Sequence, residues 1–393
     1  MQRAFAIGLL SVLTGALVGC GGEKTVQFGA VLPLTGEAQI YGQPIQRGIE
    51  LAFDEIVGGE NEEPKITLSV LDSGSDPAKA AELAEQLYED GALAVIGGVT
   101  TAEALTMVPV ADRAERVLIS PSASSPELTG ISKYFYRVFV SDAKEGATMA
   151  TFATQKRKVA SVVILAKSDN PFAMGNQQVF QTEFERQGGQ VLDMIEFPSG
   201  SDLEGLVERV MTLEPESVYL AAYANDTAAL VRQLHAAGYR GDIYTTSAFS
   251  TPDIIAEAGS AANEVFLTQA VFQADSDDPM VKDFVAHFEE KYQSKPDLYA
   301  AHGYDAMKTL EAALERGQAG STPSEFWAAI RSLRDFAGVT GPIQFDERGD
   351  VQKFPRVYIV ADGQLMDFEA EVEKRRQELL DRLKNLERRQ SNG

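Results

Sequence analysis

Residues 94–126 read AVIGGVTTAEALTMVPVADRAERVLISPSASSP, and their pattern decides the fold of this chain. The short β-branched run at 94–96 is typical of a buried strand, and Thr100 and Thr101 stand where a helix begins. A second apolar run at 117–119 predicts the next strand, and a serine-rich turn follows it. The stretch therefore predicts a strand–helix–strand unit of an α/β sheet.

Both strand ends in this stretch carry hydroxyl side chains next to backbone N–H groups. Ligands of open α/β sheets bind outside the carboxyl ends of the strands. A helix N-terminus there attracts an anion through its unpaired N–H groups and its dipole. We therefore predict a site for a small carboxylate. The alternative is that Thr101 caps the helix and the serines fill a surface loop.

The remaining body alternates strands and helices in two similar halves. The further predicted strands lie at 26–32, 66–70, 159–165, 218–222, 243–244 and 357–360. The further predicted helices lie at 41–58, 76–91, from about 145, and at 176–187, 203–213, 226–238, 279–292, 302–316 and 324–333. This order implies parallel sheets with helices on both faces.

Length and charge limit the classes of function. At 393 residues, the chain is long enough for two domains with separate cores. Its apolar fraction of 44% is that of a globular protein, and its net charge is −23. A nucleic-acid-binding protein needs a basic patch, and the folded part has no cluster of Lys and Arg. We therefore expect no nucleic-acid partner.

Residues 1–19 are typical of a signal peptide, with a short positive start and an uncharged apolar run. Cys20 follows and is the only cysteine, which excludes a disulfide within the chain. This arrangement resembles the lipobox of bacterial lipoproteins, in which the thiol is acylated; the alternative is an ordinary cleavage site with a chance cysteine. We expect residues 20–25 to be a lipidated tether. The protein is then extracytoplasmic, in the periplasm or at the cell surface, with the lipid anchor as its only membrane contact.

Residues 367–393 form a strongly charged tail with a thin apolar stripe, Val372, Leu379, Leu383 and Leu386. This spacing predicts a helix. The stripe is shorter than four heptads, so we favour a terminal helix docked on the body over a coiled coil. We expect a monomer.

Several segments together resemble one known family over residues 26–360. They are GAVLPLTGEAQIYGQPIQRGIELAFDEI, DPAKAAELAEQLYEDGALAVIGGVTTAEAL, ISPSASSPELT, HGYDAMKTLEAAL and GPIQFDERGDVQKF. In this order they resemble the Leu/Ile/Val-binding family of extracytoplasmic solute-binding proteins of ABC importers. The resemblance implies the type I periplasmic-binding-protein fold: two Rossmann-like α/β lobes with parallel sheets, joined by three crossings, with the ligand between them. It places lobe I at 24–141 and 271–345, and lobe II at 142–270 and 346–366.

The resemblance also implies ligand contacts on both lobes. The implied residues are Tyr41, Thr100, Thr101, Ser122, Ala123, Ser124, Asp142, Phe172, Tyr223 and Ser247. The carboxylate contacts of the family fall on Thr101, Ser122 and Ser124. Phe172 stands where many relatives have Tyr followed by Gly, so a hydroxyl is absent here. For the aromatic residues the alternative is core packing.

One position departs from the family. Amino-acid-binding relatives place an acidic residue, often Glu, after the strand near 243–244 to pair with the ligand's ammonium, but this chain has Ser247. A buried ammonium without a counter-charge is costly. Asp142 and Asp305 are the remaining candidates, although Asp142 could belong to a helix cap with Ser141, and Asp305 could only hold a helix in place. If neither serves, the ligand lacks an ammonium group.

Enzyme chemistry has no signature in this sequence. The motifs G-x-S-x-G, H-E-x-x-H and G-x-G-x-x-G are absent, and the histidines have no metal-ligand spacing. We expect a binding protein without cofactor or metal. Its expected partners are a small carboxylate, foremost a branched-chain or other hydrophobic amino acid, and an ABC-transporter permease. The alternatives are a ligand-sensing or cell-envelope regulatory lipoprotein, or a receptor for an aromatic or aliphatic carboxylic acid or amide.

Overall fold

The computed structural model describes residues 25–59, 65–317, 322–334 and 336–391. The predicted signal peptide and Cys20 lie outside these residues. The strands are β1 (Thr25–Leu32), β2 (Lys65–Asp72), β3 (Ala94–Gly97), β4 (Val117–Ser120), β5 (Phe135–Arg137), β6 (Ser161–Lys167), β7 (Gln190–Phe197), β8 (Ser217–Ala221), β9 (Asp242–Thr245), β10 (Val265–Gln269), β11 (Phe336–Gly338), β12 (Gly341–Ile343), β13 (Arg356–Ala361) and β14 (Gln364–Asp367). The helices are α1 (Gln39–Val57), α2 (Pro77–Glu89), α3 (Thr101–Ala114), α4 (Asp142–Thr151), α5 (Pro171–Arg186), α6 (Leu203–Leu213), α7 (Ala224–Ala236), α8 (Pro252–Ala258), α9 (Pro279–Tyr292), α10 (Leu298–Gly317), α11 (Pro323–Ser332) and α12 (Phe368–Ser391).

The first sheet has the strand order β2-β1-β3-β4-β5, and all its strands are parallel. Every residue of β3 and β4 is buried, as expected when helices cover both faces of a parallel sheet. The strand–helix–strand unit predicted for residues 94–126 is confirmed. Because β3 and β4 are parallel neighbours, their carboxyl ends bring Thr100 and the serine-rich turn to the same edge of the sheet.

The second sheet has the order β14-β13-β10-β9-β8-β6-β7. The strands from β10 to β7 are parallel, as predicted, but β13 and β14 are antiparallel to their neighbours. The turn between β13 and β14 explains the antiparallel pairing of these two strands. Asp362 and Gly363 adopt positive φ angles of 51° and 72°, which form a two-residue hairpin, and such a turn joins only antiparallel strands.

The chain passes between the two sheets three times, at 138–141, 270–278 and 344–355. Two α/β lobes joined by three crossings are therefore the observed architecture. The short hairpin of β11 and β12 lies just before the third crossing.

Among the helices that begin earlier than predicted, α4 and α5 do so because their caps give a stronger signal than their apolar spacing. The Asn170 side chain accepts the backbone N–H of Phe172 at 3.0 Å, and proline occupies the first position of α5. Phe172 consequently lies in the first helical turn. Ser141 caps α4 by accepting the N–H of Ala143 at 3.3 Å, so this helix begins at Asp142.

Helix α12 docks on the body only at its start. The Phe368 ring lies 4.8 Å from the Phe152 ring, and Arg375 pairs with Glu264 at 2.8 Å. Residues 372–386 are all exposed, including every member of the predicted apolar stripe. The predicted docking of this helix is therefore confirmed for its first turn. It is wrong for the apolar stripe, which is exposed. None of the described helices, α12 included, has the length and apolar character to cross a membrane.

Candidate functional site

A cavity of about 330 Å³ lies where the carboxyl ends of both sheets face each other. This volume counts all of the space between the lining atoms, including space open to solvent. The residues that line the cavity are Tyr41, Val99, Thr100, Thr101, Ser122, Ala123, Ser124, Phe139, Phe172, Tyr223, Ser247, Ala248 and Tyr299. Nine of the ten predicted ligand-binding residues are among them, and Asp142 is not.

Four lining residues were not predicted. Val99 and Ala248 are sequence neighbours of predicted residues, so a wider window would have included them. Phe139 comes from the first crossing and Tyr299 from the first turn of α10. No local sequence pattern marks Phe139 or Tyr299 as a binding residue. Each is an aromatic residue that only the tertiary structure brings to the cavity.

The start of α3 leaves one hydroxyl free. The Thr100 side chain accepts the N–H of Glu103 at 3.1 Å, and the Glu103 carboxylate accepts the N–H of Thr100 at 3.2 Å. This capping box assigns the cap to Thr100, so the alternative that Thr101 caps the helix is wrong. The Oγ1 atom of Thr101 is buried and has no hydrogen-bond partner among the described residues. Its proton is available to a ligand at a helix N-terminus.

The serine hydroxyls of the neighbouring turn already donate their protons to acceptors within the protein. Ser122 Oγ donates to the carbonyl oxygen of Val99 at 2.7 Å, and Ser124 Oγ donates to Asp142 Oδ2 at 2.9 Å. A hydroxyl has one proton, so each of these oxygens offers only lone pairs to the cavity. Thr101 can therefore donate a hydrogen bond to a ligand carboxylate, whereas Ser122 and Ser124 can accept one from a donor group of the ligand.

Tyrosine hydroxyls connect the two lobes across the cavity. Tyr41, on α1, donates to the carbonyl oxygen of Ala248 at 3.2 Å and accepts the N–H of Ala224 at 2.9 Å. Tyr299 donates to the carbonyl oxygen of Ser247 at 3.2 Å. Burial raises the pKa of Tyr41 well above its usual value, so the hydroxyl stays neutral. These bonds hold the described conformation closed over the cavity.

Aromatic rings form the apolar wall. Phe172 stacks on Tyr223 with ring centroids 5.2 Å apart, and Tyr41 lies 4.8 Å from Tyr299 and 5.7 Å from Tyr223. Phe172 is buried and also lines the cavity, so its ring belongs both to the hydrophobic core and to the cavity wall. Such a wall suits a hydrophobic side chain or an aromatic ring.

Asp142 lies behind the cavity wall, fully buried, with Ser124 between it and the cavity. Its backbone N–H also donates to the Ser124 carbonyl oxygen at 2.8 Å. Burial raises the pKa of Asp142 to about 7, although the Ser124 hydrogen bond and the Arg137 charge oppose the rise. Glu145, which sequence reasoning did not single out, lies one turn along α4 and is also buried.

Asp305 lies outside the cavity lining. Its carboxylate accepts the N–H of Val339 at 2.8 Å and that of Thr340 at 2.9 Å, with the Lys353 ammonium 4.0 Å away. Burial lowers the pKa of Lys353 to about 8, and the nearby Asp305 charge opposes this shift. Asp305 therefore holds α10 to the segment around the third crossing, which is the structural role considered for it.

Among the described residues, no group of His, Cys, Asp and Glu side chains could hold a metal ion. Among the residues that the structure describes, none that lines the cavity is acidic or basic. The site provides one anion-binding position at Thr101, hydrogen-bond acceptors on two serine side chains, and aromatic walls. This is the chemistry of reversible binding.

Comparison with known proteins gives similarity over nearly the whole body. A family model described as periplasmic binding protein matches residues 25–361. The Leu/Ile/Val-binding protein homolog 3 of Brucella melitensis is 26% identical over 353 residues, which cover 87% of this chain and 94% of that protein.

Solved structures are similar over the same region. The crystal structure of the leucine-binding protein LivK from Thermotoga maritima matches with a TM-score of 0.81 at 29% identity, covering 87% of this chain and 97% of that one. A solute-binding protein from Rhodopseudomonas palustris BisB5, in complex with 3,4-dihydroxybenzoic acid, matches with a TM-score of 0.79 at 23% identity, covering 88% and 96%. The second likeness shows the fold alone.

Proposed function

The chain belongs to the periplasmic binding protein family, the solute-binding proteins of ABC transporters, and from this we propose that it binds a small carboxylate between its lobes and delivers it to an importer. The family is one of binding proteins and not of enzymes. A hydrophobic amino acid, such as a branched-chain one, is the ligand we propose first. The LivK protein and the Brucella protein, which are named for leucine and for Leu/Ile/Val, support this choice.

The observation that carries the proposal is the free, buried hydroxyl of Thr101 at the start of α3. A buried donor without a partner is costly unless something accepts its proton, and a ligand carboxylate does so. The first N–H groups of the helix and its dipole add to the attraction. The aromatic wall of Tyr41, Phe172 and Tyr223 then surrounds the apolar part of the ligand.

We assign lobe I to 24–141 and 271–345 and lobe II to 142–270 and 346–366, with the crossings as the hinge. Ligand binds first to Thr101 and its neighbours on lobe I. Lobe II then closes, and the bonds of Tyr41 and Tyr299 to the backbone of lobe II favour the closed state. The permease of an ABC importer recognises the closed form.

One observation favours a second candidate ligand. No acidic side chain of the described part of the chain lines the cavity, so an ammonium has no direct counter-charge among these residues. An aromatic carboxylic acid needs none, and the same fold holds 3,4-dihydroxybenzoic acid in the Rhodopseudomonas protein. The aromatic wall that contains Phe172 and Tyr223 would then pack against the ligand ring.

Thermal-shift screening distinguishes these ligands. A ligand that binds only the folded protein stabilises it by RT ln(1 + [L]/Kd), about 2.7 kcal/mol at a hundredfold excess over Kd. We expect L-leucine, L-isoleucine or L-valine to raise the melting temperature, with benzoate and 3,4-dihydroxybenzoate as the second group and D-glucose as the negative control. A panel in which no carboxylate shifts the melting temperature would contradict the proposal.

We further propose that Cys20 carries the lipid anchor and takes no part in binding. Cys20→Ser should move the protein from the membrane fraction to the released extracytoplasmic fraction, because acylation needs the thiol. Ligand affinity should stay the same, since the described residues that line the cavity all lie within 41–299. Cell fractionation with a salt wash measures the first effect, and a variant that stays membrane-bound would exclude the anchor.

A further inference from the structure

Two buried carboxyl groups lie one helical turn apart behind the cavity. Asp142 and Glu145 occupy the first turn of α4, where their spacing places them on the same helix face. Their exposed fractions are 0% and 1%. Acidic residues are almost never buried this completely unless a partner compensates for the lost hydration.

Most of their oxygens have no such partner. Asp142 Oδ2 accepts the Ser124 hydroxyl, but Asp142 Oδ1 and both carboxylate oxygens of Glu145 have no hydrogen-bond partner among the described residues. Burial raises the pKa of Glu145 well above its ordinary value, and the neighbouring Asp142 carboxylate raises it further. In the empty protein the pair therefore retains a proton, because two adjacent buried carboxyls cannot both ionise at low cost.

The charged and titratable groups around the pair do not neutralise it. Arg137, on β5, lowers the pKa of Asp142, but its guanidinium is already bound to Asp350 at 2.7 Å. Tyr219 on β8 and Tyr299 on α10 also lie near the pair, and burial raises the pKa of each far above its usual value. Both are neutral hydroxyls in the physiological range.

Each carboxyl lies against a serine that lines the cavity. Ser124 donates its proton to Asp142, as described above. The hydroxyl and backbone N–H of Ser247 lower the pKa of Glu145, although neither reaches the geometry of a hydrogen bond. Both serines also face the cavity. A serine oriented inward presents lone pairs outward, and a cationic donor is the group that suits them.

We propose that Asp142 and Glu145 act as one buried acidic pair that selects a ligand with an ammonium group through Ser124 and Ser247. The inference rests on the proposed function, since it concerns the same cavity. The ammonium donates to the serine oxygens, and the pair behind them supplies the counter-charge and releases its proton as the ligand binds. This gives the cavity a counter-charge although position 247 is a serine.

The first test needs no mutation. Isothermal titration of the intact protein with L-leucine and with 4-methylpentanoate, its deaminated analogue, is carried out in two buffers of different ionisation enthalpy. A bound ammonium stabilises the ionised pair and lowers its pKa, so L-leucine should release up to one proton. Its affinity should therefore rise with pH by up to tenfold per unit between about pH 6 and pH 8. Binding of 4-methylpentanoate should release none.

The second test uses Glu145→Gln, which keeps the size of the side chain and removes its charge. We expect L-leucine to bind about tenfold or more weakly and to lose most of its pH dependence, whereas 4-methylpentanoate changes little. Glu82→Gln is the matched control, because Glu82 is an exposed residue of α2 outside the cavity lining, where solvent screens its charge. It should leave both affinities unchanged.

The outcomes separate this inference from the proposed function. Equal losses for both ligands in Glu145→Gln, or leucine binding without proton release, would show that the pair is structural and overturn the inference. If carboxylic acids bind and no amino acid does, the inference fails while the proposed function stands. If none of the carboxylates binds, both fail.

Discussion

Replacing Arg137 with methionine should lower the free energy of unfolding by about 3–5 kcal/mol, because the change leaves a buried carboxylate without its partner. The Arg137 side chain is fully buried, and its Nε atom donates to Asp350 at 2.7 Å. Its other nitrogens donate to the carbonyl oxygen of Ser125 at 2.8 Å and to the Thr129 hydroxyl at 2.7 Å. These bonds join β5 and the serine turn to the third crossing.

Urea denaturation of the ligand-free protein measures this effect. Arg113→Met is the matched control, because Arg113 also pairs with a carboxylate, that of Glu85, at 3.1 Å, but its side chain is 61% exposed. Such a pair contributes about 0–1 kcal/mol. The double variant Arg137→Met with Asp350→Asn should recover part of the loss, because it removes the unpaired charge. Equal losses in the two arginine variants would mean that burial of the Arg137 pair does not matter.

Thr101→Val should weaken ligand binding by roughly ten- to a hundredfold. A hydrogen bond to a charged group contributes about 1.5–3 kcal/mol, and each 1.4 kcal/mol is tenfold in Kd. The empty protein should keep its melting temperature or gain a little, because the lost hydroxyl is buried without a partner. Calorimetric titration and thermal denaturation of the same samples test both parts.

Two further threonine variants make this result specific. Thr100→Val removes the cap of α3 and should cost about 1 kcal/mol of stability, as loss of a cap does elsewhere. Thr212→Val changes an exposed residue on α6 and should alter neither property. A Thr101→Val protein that melts earlier but binds normally would place the anion site elsewhere.

Local signals were sufficient for much of the lobe architecture. The β-branched run of β3 and the capping residues before α3 predict strand and helix without any distant contact. Because parallel strands end at the same edge of a sheet, these elements also predicted that Thr101 and Ser124 lie in one place. The docked apolar stripe of α12 was wrong, because the spacing of Leu379 and Leu383 predicts a helix face but not what covers it.

The sequence by itself determined the two α/β halves, the strand ends that carry the hydroxyls, and nine of the residues that line the cavity. Only the tertiary structure decided the direction of the Ser124 hydroxyl, the place of Asp142 behind the wall and the closeness of Glu145 to Ser247. The physical reason is separation along the chain. Periodicity and caps depend on neighbours within a few residues, whereas burial, counter-charge and proton direction depend on groups that meet only when α4 packs against both lobes.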